Sequence, residues 1–224
     1  MITTGLVKEW AKNYGADLCG VASVDAFDDS PKGFHPRDIY SAAKSVISVA
    51  LRIPEGTMMA KTQVIYTVVD DLVSNKLDMV TIELCDRIEK EGAKAMVIPS
   101  VPYDFWEEET LTGKGILSLK HMAYKSGLGY IGRNSMLCNP TYGNLVLLGG
   151  LLTNTELESD KPLDGDMGCD SCMLCEVSCP VGAINDFMVD QSLCRPFSET
   201  KNKRGADIIS CCECRRVCPY MSGM

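Results

Sequence analysis

Nine of the chain's twelve cysteines fall in its last 56 residues, in bursts that few folds accommodate. The stretch "CDSCMLCEVSCP" (169–180) spaces Cys169, Cys172 and Cys175 two residues apart. Cys179 follows three residues later, directly before Pro180. A tight loop with this spacing can fold three thiolates around one cubane. The run C-x2-C-x2-C-x3-C-P is that of bacterial-type ferredoxins, whose fourth cysteine ligates the other cluster in two-cluster proteins. Soft thiolates select iron–sulfur, zinc or copper(I). Paired C-x2-C also builds zinc ribbons, but three cysteines at successive spacings of two, closed by Cys-Pro, weigh toward iron–sulfur.

If Cys179 serves a second cluster, three more ligands are needed, and the tail offers Cys194, Cys211, Cys212, Cys214 and Cys218. Cys218 again precedes a proline, so by the crossed pattern it completes the first cluster with Cys169, Cys172 and Cys175. The second cluster then takes Cys179, Cys194, Cys211 and Cys214. Cys212 is surplus and expected to point away, with its exchange for Cys211 the open point. The tail is expected to hold two [4Fe–4S] clusters close enough for electron transfer.

The rest of the chain is of another kind. Hydrophobic content of 46% suffices for a real core, and a formal charge of -8 disfavours a large nucleic-acid interface. The N-terminus "MITTGLVKEWAKNYG" has no basic flank, apolar core or twin arginine. The longest apolar run, "LVLLGGLL" (145–152), falls short of the roughly 18 residues of a membrane span. A cytoplasmic protein with no membrane partner is expected, and cysteines there are not expected to be disulfides. Cys19, Cys85 and Cys138, scattered singly, read as small buried hydrophobes.

Residues 1–158 alternate helices and strands. "TTGLVKEWAKNYGA" places Leu6, Trp10 and Tyr14 on one helical stripe. "DLCGVASV" and "SVISVALRI" read as strands. Residues 58 to about 91 form a long helix stopped by Gly92. "AKAMVIP" is a strand and "GILSLKHMAYKSG" a helix; "SMLCNP" and "NLVLLGGLLT" are strands near enough to be antiparallel neighbours. The fold class is α+β, with helices around one sheet, followed by a cluster-binding domain at 159–224.

Between that last helix and "SMLCNP" lies "GLGYIGRN" (127–134). Gly127, Gly129 and Gly132 spell G-x-G-x-x-G, but a dinucleotide fingerprint needs a strand before and a helix after. Here a helix precedes and a strand follows. The glycines end the helix, and either let a flat ligand approach the backbone or simply make a tight turn.

This stretch, taken with "GNLVLLGGLLTN" and the eight cysteines, resembles the epoxyqueuosine reductase family, cobalamin-dependent iron–sulfur enzymes related to reductive dehalogenases. "VKEWAKNYGADLCGVASV" is similar to the family's opening helix and strand, and "AYKSGLGYIGRNSMLCNPTYG" to its corrinoid-proximal segment. Cys169, Cys172, Cys175, Cys179, Cys194, Cys211, Cys214 and Cys218 fall on its eight ligands. The resemblance implies a nitroreductase-like sandwich (1–158) with a ferredoxin-like domain packed on it, and base-off cobalamin between that sandwich and the nearer cluster. Gly127, Gly129, Tyr130, Gly132, Arg133 and Asn134 would line the cofactor.

Two departures accompany it. Where the tRNA-modifying members carry an acidic proton donor, this chain has Gly113; and those members continue into a helical-repeat domain beyond the point where this chain stops. Action on tRNA is therefore not expected. The missing twin arginine argues against a respiratory dehalogenase. Tyr103, Asp104 and His121 are the remaining candidates for proton transfer, although the adjoining acidic run Glu107–Glu109 reads as solvated surface. His35, in "GFHPRD", has no nameable partner. The function expected is passage of electrons from a low-potential donor through two clusters to a corrinoid. The alternatives are an electron-transfer or activating protein for a corrinoid or other protein partner, and an FMN-dependent nitroreductase-like reductase.

Overall fold

The computed structural model describes residues 1–101, 103–163, 169 and 171–223. Helix α1 (Thr4–Asn13) starts at Thr3, whose side chain accepts from Leu6 N, and it buries Val7 and Ala11. The Leu6–Trp10–Tyr14 stripe is rotated off the core: Leu6 is exposed, while Trp10 and Tyr14 pack at its margin. Strand β1 (Leu18–Ser23), the short α2 (Pro36–Ile39) and β2 (Ser45–Arg52) lead into α3 (Gln63–Lys90). That helix begins at 63 and not near 58, because a 3-10 turn occupies Glu55–Met59 and Thr62 caps the first turn. Then come β3 (Ala95–Ile98), the hairpin β4 (Phe105–Glu107) and β5 (Thr112–Lys114), and α4 (Leu119–Lys125). A second hairpin, β6 (Tyr130–Ile131) and β7 (Leu137–Cys138), precedes β8 (Val146–Thr153).

Four strands make one antiparallel sheet in the order β1–β2–β8–β3. One expectation is corrected here. β7 does not pair with β8; it pairs with β6, Leu137 facing Ile131, across a short loop, while β8 inserts between β2 and β3. Strand alternation divides the core between two faces. Ile47, Val49, Leu51 and Leu151 pack with α1 and α3. Val46 and Leu152 pack with Phe27 and Met122, and Ala50 packs with Ala123, Leu128 and Leu137. The sheet is thus covered by α1 and α3 on one side and by α4 on the other, a mixed α/β sandwich. Each fully buried residue such as Ile47 or Leu151 contributes about 1.5–3 kcal/mol.

The cysteine-rich segment has little regular structure. It runs through α5 (Leu174–Val177), the ladder β9 (Ile184–Asn185) with β10 (Met188–Val189), and α6 (Gln191–Ser198). The ladder β11 (Glu199–Lys201) with β12 (Asp207–Ile209) and α7 (Glu213–Arg216) complete it. Within it α5 packs on α7, and it is folded onto the sandwich: β12 lies along α3, and Ile209 N donates to Thr67 Oγ1 at 3.0 Å. Gly143, at φ +55, presses against the carbonyls of Tyr220 and Met221 just past Cys218; a side chain there would collide with them. Among the described residues no helix is long and apolar enough to cross a membrane.

Candidate metal centre

Cys169, Cys172, Cys175 and Cys218 line one cavity, together with Arg133, Asn134, Cys138, Leu174, Pro219 and Tyr220. The loop before α5 supplies the first two, Cys172 N donating to Cys169 O at 3.3 Å, and α5 itself carries Cys175. Cys218 comes from the turn after α7, its N donating to Arg215 O at 3.3 Å. Among the described residues, no three His, Cys, Asp or Glu side chains are grouped to grip a single ion. The thiols surround a space, which suits a cluster held by four thiolates. Burial raises the thiols of Cys175 and Cys218, with neighbouring cysteines adding to the shift. A soft metal binding there displaces protons.

Of the second set, Cys194 lies on α6, with its Sγ 3.6 Å from Ser198 Oγ. Burial pushes the Cys214 thiol up to about 12, Arg215 opposing and Cys211, Cys194 and Cys175 reinforcing. Cys214 therefore stands within electrostatic reach of two of its three expected partners, Cys194 and Cys211, and of Cys175 from the first set. Cys179 accepts from Ala183 N at 3.3 Å. Cys212 turns inward and packs with Ile53, Met58, Tyr66 and Leu145, its thiol 3.5 Å from Gln63 Oε1.

Each glycine of the segment lies close against another part of the chain. Gly127 takes the left-handed turn that ends α4 (φ +74), and a β-carbon there would stand 2.6 Å from Lys161 O. At Gly129 it would overlap the Cys138 carbonyl, and at Gly132 it would stand 2.8 Å from Cys138 Sγ. The room these residues leave is filled by the chain itself. Gly129 does not have positive φ; a side chain there would split β6 from β7 before it met any ligand. Tyr130, on β6, is half-buried. Arg133, imagined reaching a cofactor, spans to the cysteine loop: its guanidinium donates to Glu176 Oε1 at 2.7 Å and Cys169 O at 3.2 Å, and lies over Phe187. Glu176 is held below the usual carboxylate range by that hydrogen bond from Arg133. Buried Asn134 donates to Cys214 O at 3.2 Å.

Three further residues of the centre were not expected. Buried Arg215, between Cys214 and Cys218, donates to Tyr66 Oη at 3.0 Å and to the Asn144 carbonyl. Asn144, buried, returns a hydrogen bond to Arg215 O at 3.4 Å. Cys138 is the third. Only the arginine carried a sequence signal, a cation placed between two proposed ligands.

The proton-transfer candidates lie elsewhere. Half-exposed Tyr103 covers Gly113, stacks on Trp106 at 6.3 Å and lies under the Arg195 guanidinium at 4.5 Å. Exposed Asp104 donates its N–H to Lys114 O, and the acidic run lies on the exposed β4–β5 hairpin. Gly113 itself is clasped by Gln191, which accepts from its N at 2.9 Å and donates to its O at 3.2 Å. His35 caps α2, its Nδ1 accepting from Arg37 N at 3.1 Å. His121 Nδ1 is 2.6 Å from Ser118 Oγ. It opens with Gly113, Lys114, Phe27 and Phe34 onto a cavity of about 450 Å³, within the range of small-molecule pockets.

No family model matches this chain. An epoxyqueuosine reductase of Bacillus subtilis is 26% identical over 258 residues, covering 96% of this chain and 62% of that protein. The chain thus spans less than two thirds of that relative's length. A crystal structure of selenomethionine-labelled epoxyqueuosine reductase superposes with a TM-score of 0.68 at 23% identity, covering 97% of this chain and 65% of the other. A reductive dehalogenase, described as B12-dependent, reaches 0.71 at 17% identity over 96% of this chain and 31% of the other. The chain is a homologue of the epoxyqueuosine reductases and shares their fold and that of the dehalogenases.

Proposed function

We propose that this homologue of the epoxyqueuosine reductases is an iron–sulfur redox protein in which two [4Fe–4S] clusters pass single electrons to a corrinoid for reduction of a small substrate or cofactor. The observation that carries the reading is the cavity in which four cysteines from two segments meet. Residues 1–158 serve as the nitroreductase-like cofactor domain, and 159–224 as the ferredoxin-like domain. Cys169, Cys172, Cys175 and Cys218 hold the nearer cluster; Cys179, Cys194, Cys211 and Cys214 hold the second. A corrinoid, when bound, supplies a strongly reducing cobalt centre, to which low-potential clusters are suited.

The chain's own residues position and shield. Arg133 ties the β6–β7 loop to the cysteine loop through Glu176 and Cys169 O, and so closes one wall of the cavity against water. Arg215 sets a fixed positive charge beside Cys214, which favours that residue's thiolate form against the burial that opposes it. In the 450 Å³ cavity Phe27, Phe34, Leu117 and Met122 give an apolar wall, and His121, oriented by Ser118, is the group placed to exchange a proton with a substrate. No carboxylate stands at Gly113. That absence from the side-chain set favours a second reading, an electron-transfer or activating protein for a corrinoid partner. FMN gains no support from the relatives.

The test is anaerobic reconstitution with iron and sulfide, followed by separate titrations with cobalamin and FMN. Two clusters predict about eight iron atoms per chain and broad absorbance near ~400 nm. Saturable cobalamin binding with a base-off spectrum supports the first reading. Full clusters with no cobalamin uptake support the second. About one zinc and no iron would sink both.

A further inference from the structure

We propose that Cys138 is a fifth thiol of the nearer cluster's cavity: not a ligand, but a hydrogen-bond donor to the cluster that raises its reduction potential. The inference rests on the iron–sulfur reading above. Its basis is the placement of β7. Leu137 turns into the core beside Ala50, Ala123 and Leu128. By strand alternation Cys138 turns the other way, and it lines the cavity with Cys169, Cys172, Cys175 and Cys218. Its side chain is buried, at 2% exposure. Cys138 Sγ and Cys169 Sγ lie 2.8 and 3.6 Å from the point where a Gly132 β-carbon would stand, so they are at most 6.4 Å apart. Gly132 leaves the gap across which the two sulfurs face each other.

The chain context decides between ligand and donor. Four cysteines already supply the cluster's ligands, and all four come from loops or single-turn helices. Cys138 instead belongs to a hairpin whose backbone is fixed by pairing with Tyr130 and by the close approach of Gly129 to its carbonyl. It can face the cluster without travelling to an iron. A thiol is a weak donor, but hydrogen bonds to cluster sulfurs are among the factors that set a potential. The reduced cluster carries one more negative charge, so a donor favours it over the oxidised form and the potential rises. In a water-poor cavity that effect is larger than it would be in solvent.

The experiment uses the full chain, reconstituted anaerobically, as wild type, Cys138→Val, Cys138→Ala and Cys138→Ser. Iron and sulfide are assayed, and each cluster is titrated by EPR-monitored potentiometry. Both donor-free variants should keep wild-type iron and sulfide. One cluster should shift to lower potential, so that at a fixed ambient potential its reduced-to-oxidised ratio falls about tenfold, or 59 mV for a one-electron couple. The other cluster should not move. Cys138→Ser keeps a donor and should stay at or above the wild-type value. Cys138→Ala creates no clash, so it carries the test if Cys138→Val misfolds. Loss of half the iron in the donor-free variants would make Cys138 a ligand and overturn the proposal. Unchanged potentials would reduce it to packing and overturn it equally. A wild type that takes up no iron would instead overturn the iron–sulfur reading beneath it.

Discussion

Arg215→Met tests whether the cysteine tail is fastened to the sandwich through one buried cation. Arg215 is 8% exposed and joins three places: α7, Tyr66 on α3, and Asn144 before β8. Burial alone would disfavour its charge, but Tyr66, Cys214 and Asp70 around it hold the charge in place. Methionine fills much of the volume and returns none of the hydrogen bonds. Two bonds from a charged donor are worth about 1.5–3 kcal/mol each. Subtracting what methionine regains by packing leaves a loss of about 3–4 kcal/mol. For a chain of this size about 1 kcal/mol moves the melting temperature by 2–4 °C, so a drop of roughly 6–16 °C is expected. The assay is thermal unfolding followed by circular dichroism, on apo and reconstituted protein, so that a loss present in both is not a loss of metal. The neighbour is the control. Arg216 has a partly exposed side chain and reaches Met58 O at 3.2 Å and Glu213 at 3.3 Å; Arg216→Met should cost about 1 kcal/mol or less. Arg215→Lys keeps the charge but cannot span both acceptors with a planar fork, and should recover less than half of the loss. Equal shifts for the two methionine variants, or a loss under about 1 kcal/mol at Arg215, would refute the reasoning.

Cys218→Ser should lose about half of the iron bound by reconstituted wild type, whereas Cys212→Ala, altering a residue packed in the core, should keep all of it; iron assays decide. His121, though exposed overall, has its pKa lowered by partial burial and by Lys120 and Lys125, with Asp29 opposing. A depressed folded value makes its contribution complete above the unfolded pKa of about 6.5 and lost as pH falls through the folded one. Melting curves between pH 7 and 5 should fall more steeply for wild type than for His121→Gln. Glu176 is likewise lowered, first by its hydrogen bond from Arg133. Its stabilisation should be present above the ordinary carboxylate range and vanish on acidification below it, and Glu176→Gln should flatten that acid limb. Gly143→Ala places a methyl against the carbonyls of Tyr220 and Met221 at a positive φ; a backbone penalty of about 1–2 kcal/mol plus the clash should displace Cys218 and lower iron uptake, read by absorbance near ~400 nm.

What could be read along the chain and what could not separate by the distance over which each signal acts. The strands β1, β2, β3 and β8 were evident from apolar runs, and the end of α3 from Gly92, because local propensity and punctuation set them; its start was placed too early, since the 3-10 turn before Thr62 is as apolar as the helix. The order β1–β2–β8–β3 was not. Proximity in sequence favoured pairing β7 with β8, yet β8 is drawn to the sheet centre, where Gly149 lets Leu77 of α3 approach and Gly150 meets Met122 of α4 from the other side. The core face of α3 was equally hidden, since Ile65, Val68, Leu72, Met79 and Ile82 are apolar and exposed opposite the buried Leu77, Leu84 and Ile88.

The metal centre shows the same division at close range. Cysteine spacing is legible because the ligand loop is short: two intervening residues fix how far apart the thiolates can stand, whatever surrounds them. Arg133, Asn134, Asn144 and Cys138 owe their roles to partners 31 to 80 residues away along the chain, which only packing brings near. The glycines explain why such residues resist inference. A glycine announces that something comes within the space of a β-carbon, but not what. At Gly129 and Gly132 the something is β7 itself, with its carbonyl and its thiol. The same close approach carries Cys138 to the edge of the cysteine cavity. The motif therefore bears on the cysteine cavity through the strand it admits.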